Sequence, residues 1–141
     1  MSEPVFTYGT LQVPVVMEAV TGRKFTSSPA ILNDYIRYIV KRQVYPGIIP
    51  LAGSVVDGRL YFDMDDAAVR ILDAFEDVLY ERRQVEVNCN NQKIPAQAYV
   101  VAEKYRNLLS RENWDIKAFE SEQLVNYLDS CRSFHGGYKQ S

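Results

Sequence analysis

A glutamate on the apolar face of a predicted helix is the residue whose position best suits proton transfer. Val69, Leu72 and Phe75 recur at the spacing of one helical face. Glu76 lies four residues after Leu72 and therefore shares that face, at the end of the helix. Partial burial and the negative end of the helix dipole both raise the pKa of a carboxyl group in such a place. A glutamate whose pKa approaches the working pH can accept a proton and later return it.

The same position also has a structural interpretation. Glu76 lies at the edge of the apolar stripe, where it could pair with Arg82 or Arg83 or reach solvent. Ion pairs of this kind are common at protein surfaces and contribute little to stability. The pattern of residues by itself leaves both interpretations open.

A glycine-containing loop after the first predicted strand is the second candidate for chemistry. Its sequence is Tyr8-Gly9-Thr10-Leu11-Gln12. Glycine lets the backbone turn sharply and leaves N–H groups exposed to a ligand, where they can hold a carboxylate or a developing oxyanion. The loop has neither the GxxxxGK[ST] nor the GxGxxG spacing of phosphate-binding loops, which disfavours nucleotide binding. A simple turn without a ligand is the alternative.

The predicted elements that position these residues are strands in the middle of the chain with helices around them. Toward the N-terminus we predict a strand at 4–8, a helix at about 14–20, two strand segments within 28–42 separated by Asn33-Asp34, a turn at Tyr45-Pro46-Gly47, and a strand or hairpin at 53–64 around Asp57-Gly58. The remainder is predicted as a helix at 67–77 capped by Asp65 or Asp66, a hairpin of 80–89 and 94–102 turning at Asn90-Asn91, and a helix from Asp115 to Gly136-Gly137. Strands that do not alternate regularly with helices indicate an α+β fold.

The length and composition predict one globular domain over residues 1–141. Hydrophobic residues make up 47% and charged residues 24% of the chain, which is typical of a protein with one packed core. The formal net charge of -2 provides no basic excess to neutralise phosphates, so nucleic acid is not an expected partner. No apolar run reaches about 18 residues, so the sequence predicts no membrane span.

Cysteine and histidine usage makes a metal site unexpected. The start Met1-Ser2-Glu3-Pro4 lacks the basic and apolar regions of a secretory signal, so we expect a cytoplasmic protein in which Cys89 and Cys131 are reduced thiols. The two cysteines have no CxxC spacing, and His135 is the single histidine. We therefore expect no metal site. We also expect His135 to lie at the surface of a fraying helix end.

Four short runs, taken in order, carry a resemblance to a known family. They are Val5-Phe6-Thr7-Tyr8-Gly9-Thr10-Leu11, Tyr45-Pro46-Gly47-Ile48-Ile49-Pro50, Val56-Asp57-Gly58-Arg59-Leu60-Tyr61 and Leu72-Asp73-Ala74-Phe75-Glu76-Asp77-Val78-Leu79-Tyr80-Glu81-Arg82. With these runs the chain resembles the gamma-glutamylcyclotransferase-like superfamily, and within it the plant avirulence-induced and gamma-glutamylamine cyclotransferase branch. The resemblance implies an α+β fold built as a small mixed β-barrel with helices packed around it. It also implies that the loop and Glu76 meet at one cavity.

The resemblance further implies roles for the candidate residues. Backbone donors of Tyr8-Gly9-Thr10-Leu11, extending to Gln12, would bind a γ-glutamyl group, and Glu76 would be the catalytic proton acceptor. Many members have lysine or arginine after this loop, whereas this chain has Gln12, so the sequence does not specify the substrate. The residues expected to neighbour the site in structural roles are Tyr80, Arg82 and Tyr99.

The implied activity is that of an enzyme without a cofactor that acts on a small γ-glutamyl substrate. It would convert a γ-glutamyl amine or γ-glutamyl amino acid to 5-oxoproline and the free amine by intramolecular aminolysis. We expect it to act as a monomer or weak homodimer. Two alternatives stay open. One is a catalytically silent module that binds a small acid, and the other is an acyltransferase of the same fold that delivers its acyl group to an external nucleophile.

Overall fold

Five strands close into a mixed β-barrel, which confirms the predicted architecture. The computed structural model describes residues 3–140, without the side chain of Gln140, so Met1, Ser2 and Ser141 lie outside the described residues. The strands are β1 (Val5–Thr7), β2 (Ser27–Ile39), β3 (Pro46–Tyr61), β4 (Tyr80–Cys89) and β5 (Gln92–Val101). Their order around the barrel is β1-β3-β2-β4-β5. β1 pairs antiparallel with β3 and parallel with β5, and the parallel pair closes the barrel.

β2 and β3 form one long hairpin, which corrects two sequence predictions. Asn33-Asp34 does not separate two strands, because the ladder continues past an irregularity there and the Asp34 carboxylate accepts a hydrogen bond from the Gly53 N–H over 3.0 Å. Asp57-Gly58 is not a hairpin turn, because Gly58 pairs with Ala30 inside the ladder. A Cβ on Gly58 would overlap the Thr7 carbonyl oxygen, so this glycine allows β1 to lie close against β3.

The predicted hairpin of β4 and β5 is confirmed. The two strands pair antiparallel from Tyr80 opposite Val101 to Cys89 opposite Gln92. Asn90-Asn91 makes the turn between them with φ values of 52° and 63°. Asparagine tolerates this left-handed backbone better than most residues do, and two such residues in succession suit a tight hairpin.

Helices pack around the barrel and cover part of it. They are α1 (Pro14–Thr21), α2 (Asp66–Glu76), α3 (Ile116–Glu122) and α4 (Leu124–Gln140), with short 3₁₀ helices at Thr10–Gln12, Asp77–Leu79 and Glu103–Leu108. The predicted signals at the end of α1 and the start of α2 are confirmed. Gly22 follows α1 with a φ of 76°, which glycine adopts readily. Asp65 caps α2, because its carboxylate accepts a hydrogen bond from the Ala68 N–H over 2.9 Å.

The C-terminal part differs from the prediction of one helix that ends at Gly136-Gly137. The helical path breaks at Gln123, which has a φ of −127°, and α4 then continues through both glycines. The expectation that His135 lies at a fraying surface end is also wrong. Its ring packs beside Gly22, and its Nδ1 atom lies 3.0 Å from the Val20 carbonyl oxygen. Contacts of His135 therefore tie α4 to the end of α1.

The buried apolar residues form two main clusters. One draws on all five strands and includes Phe6, Leu32, Leu60, Val87 and Ala98. The other lies between strands and helices and includes Val16, Met17, Leu72, Phe119 and Cys131. The second cluster therefore holds the helices against the barrel. Over residues 3–140, no helix is both long enough and apolar enough to cross a membrane.

Candidate active site

A cavity of about 410 Å³ lies beside the end of α2. Its wall combines the loop after β1, the last turn of α2 with the 3₁₀ helix that follows, barrel residues and part of α4. Of the predicted site residues, those that line the cavity are Tyr8, Gly9, Thr10, Leu11 and Glu76. Gln12 does not line it. The structure therefore brings the loop and the glutamate to one cavity and leaves Gln12 outside.

Glu76 is the last residue of α2 and has a carboxylate without a protein partner. Its side chain makes no hydrogen bond or ion pair within the described part of the chain. The two arginines of the alternative interpretation are engaged elsewhere, because Arg82 pairs with Asp73 and Arg83 pairs with Glu81. Burial raises the pKa of Glu76 from 4.5 to about 8. The carboxyl group thus has a pKa that suits proton transfer, and no hydrogen bond or ion pair to the protein competes with a substrate for it.

The last turn of α2 is anchored to the sheet through Asp73. Arg82 Nε lies 2.9 Å from Asp73 Oδ1, and the Tyr99 hydroxyl donates to the same oxygen over 2.7 Å. Just after the helix, Asp77 has a φ of 60°, a left-handed conformation that residues other than glycine seldom adopt. The anchor and the sharp end of the helix together fix Glu76 at the cavity wall.

The loop after β1 is shaped by one 3₁₀ turn at Thr10–Gln12 and by contacts on either side. The Tyr61 hydroxyl donates to the Leu11 carbonyl oxygen over 2.9 Å. Gly9 lies so close to Pro46 that a Cβ would come within 2.8 Å of the proline ring. Its φ is −126°, so the close approach, and not a left-handed backbone, requires glycine. N–H groups at the start of such a turn have no partner within it and are available to a ligand.

Five tyrosines also line the cavity: Tyr8, Tyr45, Tyr80, Tyr99 and Tyr127. Burial raises the pKa of every one of them, so the phenols stay protonated at neutral pH and act through hydrogen bonds. The Tyr8 hydroxyl donates to the Tyr99 carbonyl oxygen over 2.6 Å. The Tyr127 hydroxyl accepts a hydrogen bond from the Thr10 hydroxyl over 3.1 Å, which leaves its own proton for another acceptor.

The family description "Gamma-glutamyl cyclotransferase, AIG2-like" matches residues 5–116 of the sequence. The chain belongs to this family. The matched segment contains both the loop after β1 and Glu76, whereas α4 lies beyond it. The resemblance carried by the four short runs is therefore confirmed for the part of the chain in which they occur.

Curated relatives of this chain include two proteins of Arabidopsis thaliana. AIG2-like protein D is 32% identical over 133 residues, a match that covers 92% of this chain and 87% of that protein. AIG2-like protein C is 30% identical over 132 residues, covering 92% of this chain and 76% of that protein. Both matches extend over nearly the whole of this family member.

Solved structures of similar proteins have the same fold. A solution structure of an Arabidopsis thaliana protein superposes with a TM-score of 0.71 at 27% identity, covering 99% of this chain and 85% of that one. A gamma-glutamyl cyclotransferase superposes with a TM-score of 0.64 at 16% identity, covering 94% of this chain and 87% of that one. At that identity the second likeness concerns the fold alone.

In this AIG2-like family member, α4 contributes a cavity wall whose residues are not among those predicted from the sequence. Tyr127, Ser130 and Cys131 all line the cavity. Their spacing of three and four residues puts them on one helical face, which is the signal in the sequence that could have found them. Burial raises the pKa of the Cys131 thiol to about 12, so this thiol is a poor nucleophile at neutral pH. Within residues 3–140 no group of three or more His, Cys, Asp or Glu side chains is placed to hold a metal ion.

Proposed function

We propose that this chain is a cyclotransferase that converts γ-glutamyl amides to 5-oxoproline and a free amine. One observation carries the proposal. Glu76, with a pKa raised to about 8 and no protein partner, lines the same cavity as the Gly9 loop. Membership of the gamma-glutamyl cyclotransferase, AIG2-like family supports the reaction class. The roles given below to single residues are parts of the same proposal.

The proposed reaction begins with proton transfer to Glu76. Its carboxylate takes a proton from the substrate's α-ammonium group, which frees the lone pair of the α-amino nitrogen. That nitrogen then attacks the substrate's own γ-carbonyl carbon, and the new C–N bond closes a five-membered ring. The cavity holds both ends of one molecule together, which gives the rate advantage of an intramolecular reaction.

The second half of the reaction expels the amine. The tetrahedral intermediate carries an oxyanion, which the N–H groups of the Gly9-Thr10-Leu11 segment stabilise. The original amide C–N bond breaks as the intermediate collapses, and Glu76 returns its proton to the departing nitrogen. The ring nitrogen loses its second proton, which the released amine takes up to leave as an ammonium ion. One amide is consumed and one cyclic amide is formed, so the reaction balances without water or an oxidant.

The test is a screen for 5-oxoproline release from γ-glutamyl amino acids, γ-glutamyl-lysine and glutathione. Glu76→Gln keeps the volume of the side chain but cannot carry a proton, so turnover should fall by about 100-fold to 10,000-fold. Glu81→Gln is the matched control, because Glu81 pairs with Arg83 and does not line the cavity. Near-parental turnover in Glu76→Gln would remove Glu76 from the mechanism.

The same screen separates the alternatives. Binding of 5-oxoproline without release of 5-oxoproline from any amide would favour a silent module that binds small acids. Formation of a new amide in the presence of an added amine would favour an acyltransferase. The raised pKa of Glu76 supports the enzymatic alternatives, since a silent binding module has no need of a carboxyl group with a pKa of about 8.

A further inference from the structure

Arg37 contacts the loop that forms one wall of the cavity. Its Nη1 atom donates to the Tyr8 carbonyl oxygen over 2.8 Å. The same atom donates to the Asp57 carbonyl oxygen over 2.8 Å, and Nη2 pairs with Asp57 Oδ1 over 2.8 Å. The Arg37 side chain is 19% exposed and does not line the cavity. A residue of β2 that is paired with β3 and lies outside the cavity lining therefore holds the Tyr8 carbonyl.

The contact also determines where the neighbouring N–H group points. No peptide bond within residues 3–140 is cis, so the N–H of the Tyr8–Gly9 peptide points away from its carbonyl oxygen. The carbonyl is held by Arg37, which does not line the cavity, whereas Gly9, which carries the N–H, does line it. No acceptor in the described part of the chain takes this N–H. A cationic donor on the carbonyl also polarises the amide and strengthens its N–H as a donor.

We propose that Arg37 is a positioning residue for ligand binding. It holds the Tyr8–Gly9 peptide so that the Gly9 N–H donates to an anionic oxygen of the ligand. The identity of that ligand rests on the proposed function, which makes it a γ-glutamyl substrate or 5-oxoproline. The orientation of the peptide rests on the contacts of Arg37 and does not depend on the ligand.

A purely structural role for Arg37 would consist of tying β2 to β3. Contacts of that kind are present, because Asp57 belongs to β3 and the guanidinium carbon lies 5.9 Å from the centre of the Trp114 ring. Asp57→Asn separates the two roles, since it removes the charge of the ion pair and leaves the contact between Arg37 and Tyr8. That variant should lose stability while it keeps the Gly9 amide resonance and the ligand affinity of the parent.

The experiment compares Arg37→Gln, Arg37→Lys and Arg59→Gln by thermal melting, by the ¹H–¹⁵N NMR resonance of the Gly9 amide, and by calorimetric titration with 5-oxoproline. Arg59 is the matched control, because it donates from β3 to Ser27 Oγ over 2.8 Å and does not line the cavity. Arg37→Gln should move the Gly9 amide proton upfield and weaken 5-oxoproline binding by about tenfold or more. Arg37→Lys should recover part of both effects, and Arg59→Gln should show neither.

The proposal is overturned if Arg37→Gln keeps the parental Gly9 resonance, or if it weakens binding no more than Arg59→Gln does. Should Arg37→Gln fail to fold, Arg37→Lys and Asp57→Asn decide by the same two readouts. A parent protein that neither binds nor releases 5-oxoproline would refute the proposed function separately. The Gly9 resonance of the ligand-free protein would then still support or overturn the positioning role of Arg37.

Discussion

The Tyr99 hydroxyl donates a hydrogen bond to Asp73 Oδ1 over 2.7 Å, one helical turn before Glu76. A residue of β5 thus holds the turn of α2 that carries Glu76. Tyr99→Phe removes this bond, while Asp73 keeps its pair with Arg82. We expect the free energy of unfolding to fall by about 1 kcal/mol, as for the loss of one intramolecular hydrogen bond. We also expect kcat to fall beyond what the unfolded fraction explains.

Denaturant unfolding and 5-oxoproline release measure the two effects of Tyr99→Phe. Tyr105→Phe serves as the control, because the Tyr105 hydroxyl makes no hydrogen bond within the described residues. If both variants match the parent in stability and turnover, the bond between Tyr99 and Asp73 does not position Glu76.

Glu76→Gln should change stability in a way that depends on pH. The pKa of Glu76 is raised from 4.5 to about 8 in the folded protein, so the folded state favours the protonated carboxyl. The contribution of Glu76 to stability is therefore intact below pH 4.5 and is lost as the pH rises through about 8. Glutamine does not ionise, so the variant should melt near the parental temperature at about pH 5 and on the order of 5 °C higher at about pH 9. A melting difference that does not widen with pH would contradict this.

The pH dependence of kcat/KM should report the same carboxyl group. Glu76 accepts a proton only when it is ionised, so kcat/KM should rise up to a pH of about 8 and then level off. Steady-state rates across this range, measured on parent and Glu76→Gln, check the prediction. The residual activity of the variant should lack this rise, and a rise of the same form in both proteins would assign it to another group, such as the substrate's amine.

Gly9→Val should weaken ligand binding. A Cβ at Gly9 would lie 2.8 Å from Pro46 Cγ and Cδ, so the loop or the proline must move. We expect a folded protein with at least about tenfold weaker affinity for 5-oxoproline in calorimetric titration, because N–H groups of a displaced loop no longer match the ligand. Gly136→Ala is the control, since a Cβ there meets nothing within 4 Å. If folded Gly9→Val binds as tightly as the parent, the loop is not the binding site.

The charge of the cavity predicts which amines leave most readily. Its acidic residues are Glu76 and Asp77, of which Glu76 gains its charge as the pH rises through about 8, and it has no lysine, arginine or histidine among its lining residues. γ-Glutamyl amides of neutral or cationic amines should therefore react with higher kcat/KM than glutathione or other substrates whose amine part carries a carboxylate. Asp77→Asn should narrow the difference in kcat/KM between these two classes of substrate. Equal kcat/KM for both classes of amide would show that the leaving amine does not meet this charge.

The region around Glu76 was predictable because its signals are local. The helical spacing of Val69, Leu72 and Phe75 identifies the face that α2 buries, and Asp65 begins the helix with a recognisable cap. Neither signal depends on what lies far away in the sequence. The placement of Glu76 on the cavity side could therefore be inferred before its surroundings were known.

The long hairpin and the wall from α4 were not predictable in the same way. Asn33-Asp34 and Asp57-Gly58 carry turn-favouring residues, yet pairing between β2 and β3 overrides that local preference. Gly58 is needed for the approach of β1, a contact that its neighbours in sequence do not reveal. Likewise, the cavity contact of Tyr127 depends on where α4 packs, which is set by distant parts of the chain.

The parallel pairing of β1 with β5 has a consequence for the order of folding. Val5 lies opposite Gln97, and the Tyr8 hydroxyl reaches a carbonyl oxygen 91 residues further along the chain. Contacts between such distant residues cost much chain entropy, because a long loop must be closed, and they tend to form late in folding. During synthesis, the loop that follows β1 cannot make its contact with Tyr99 until β5 has been synthesised. The last seam of the barrel therefore closes late, and the cavity is complete only when α4, which follows β5 in the chain, has also packed beside it. A chain arrested before that point has only part of the cavity wall.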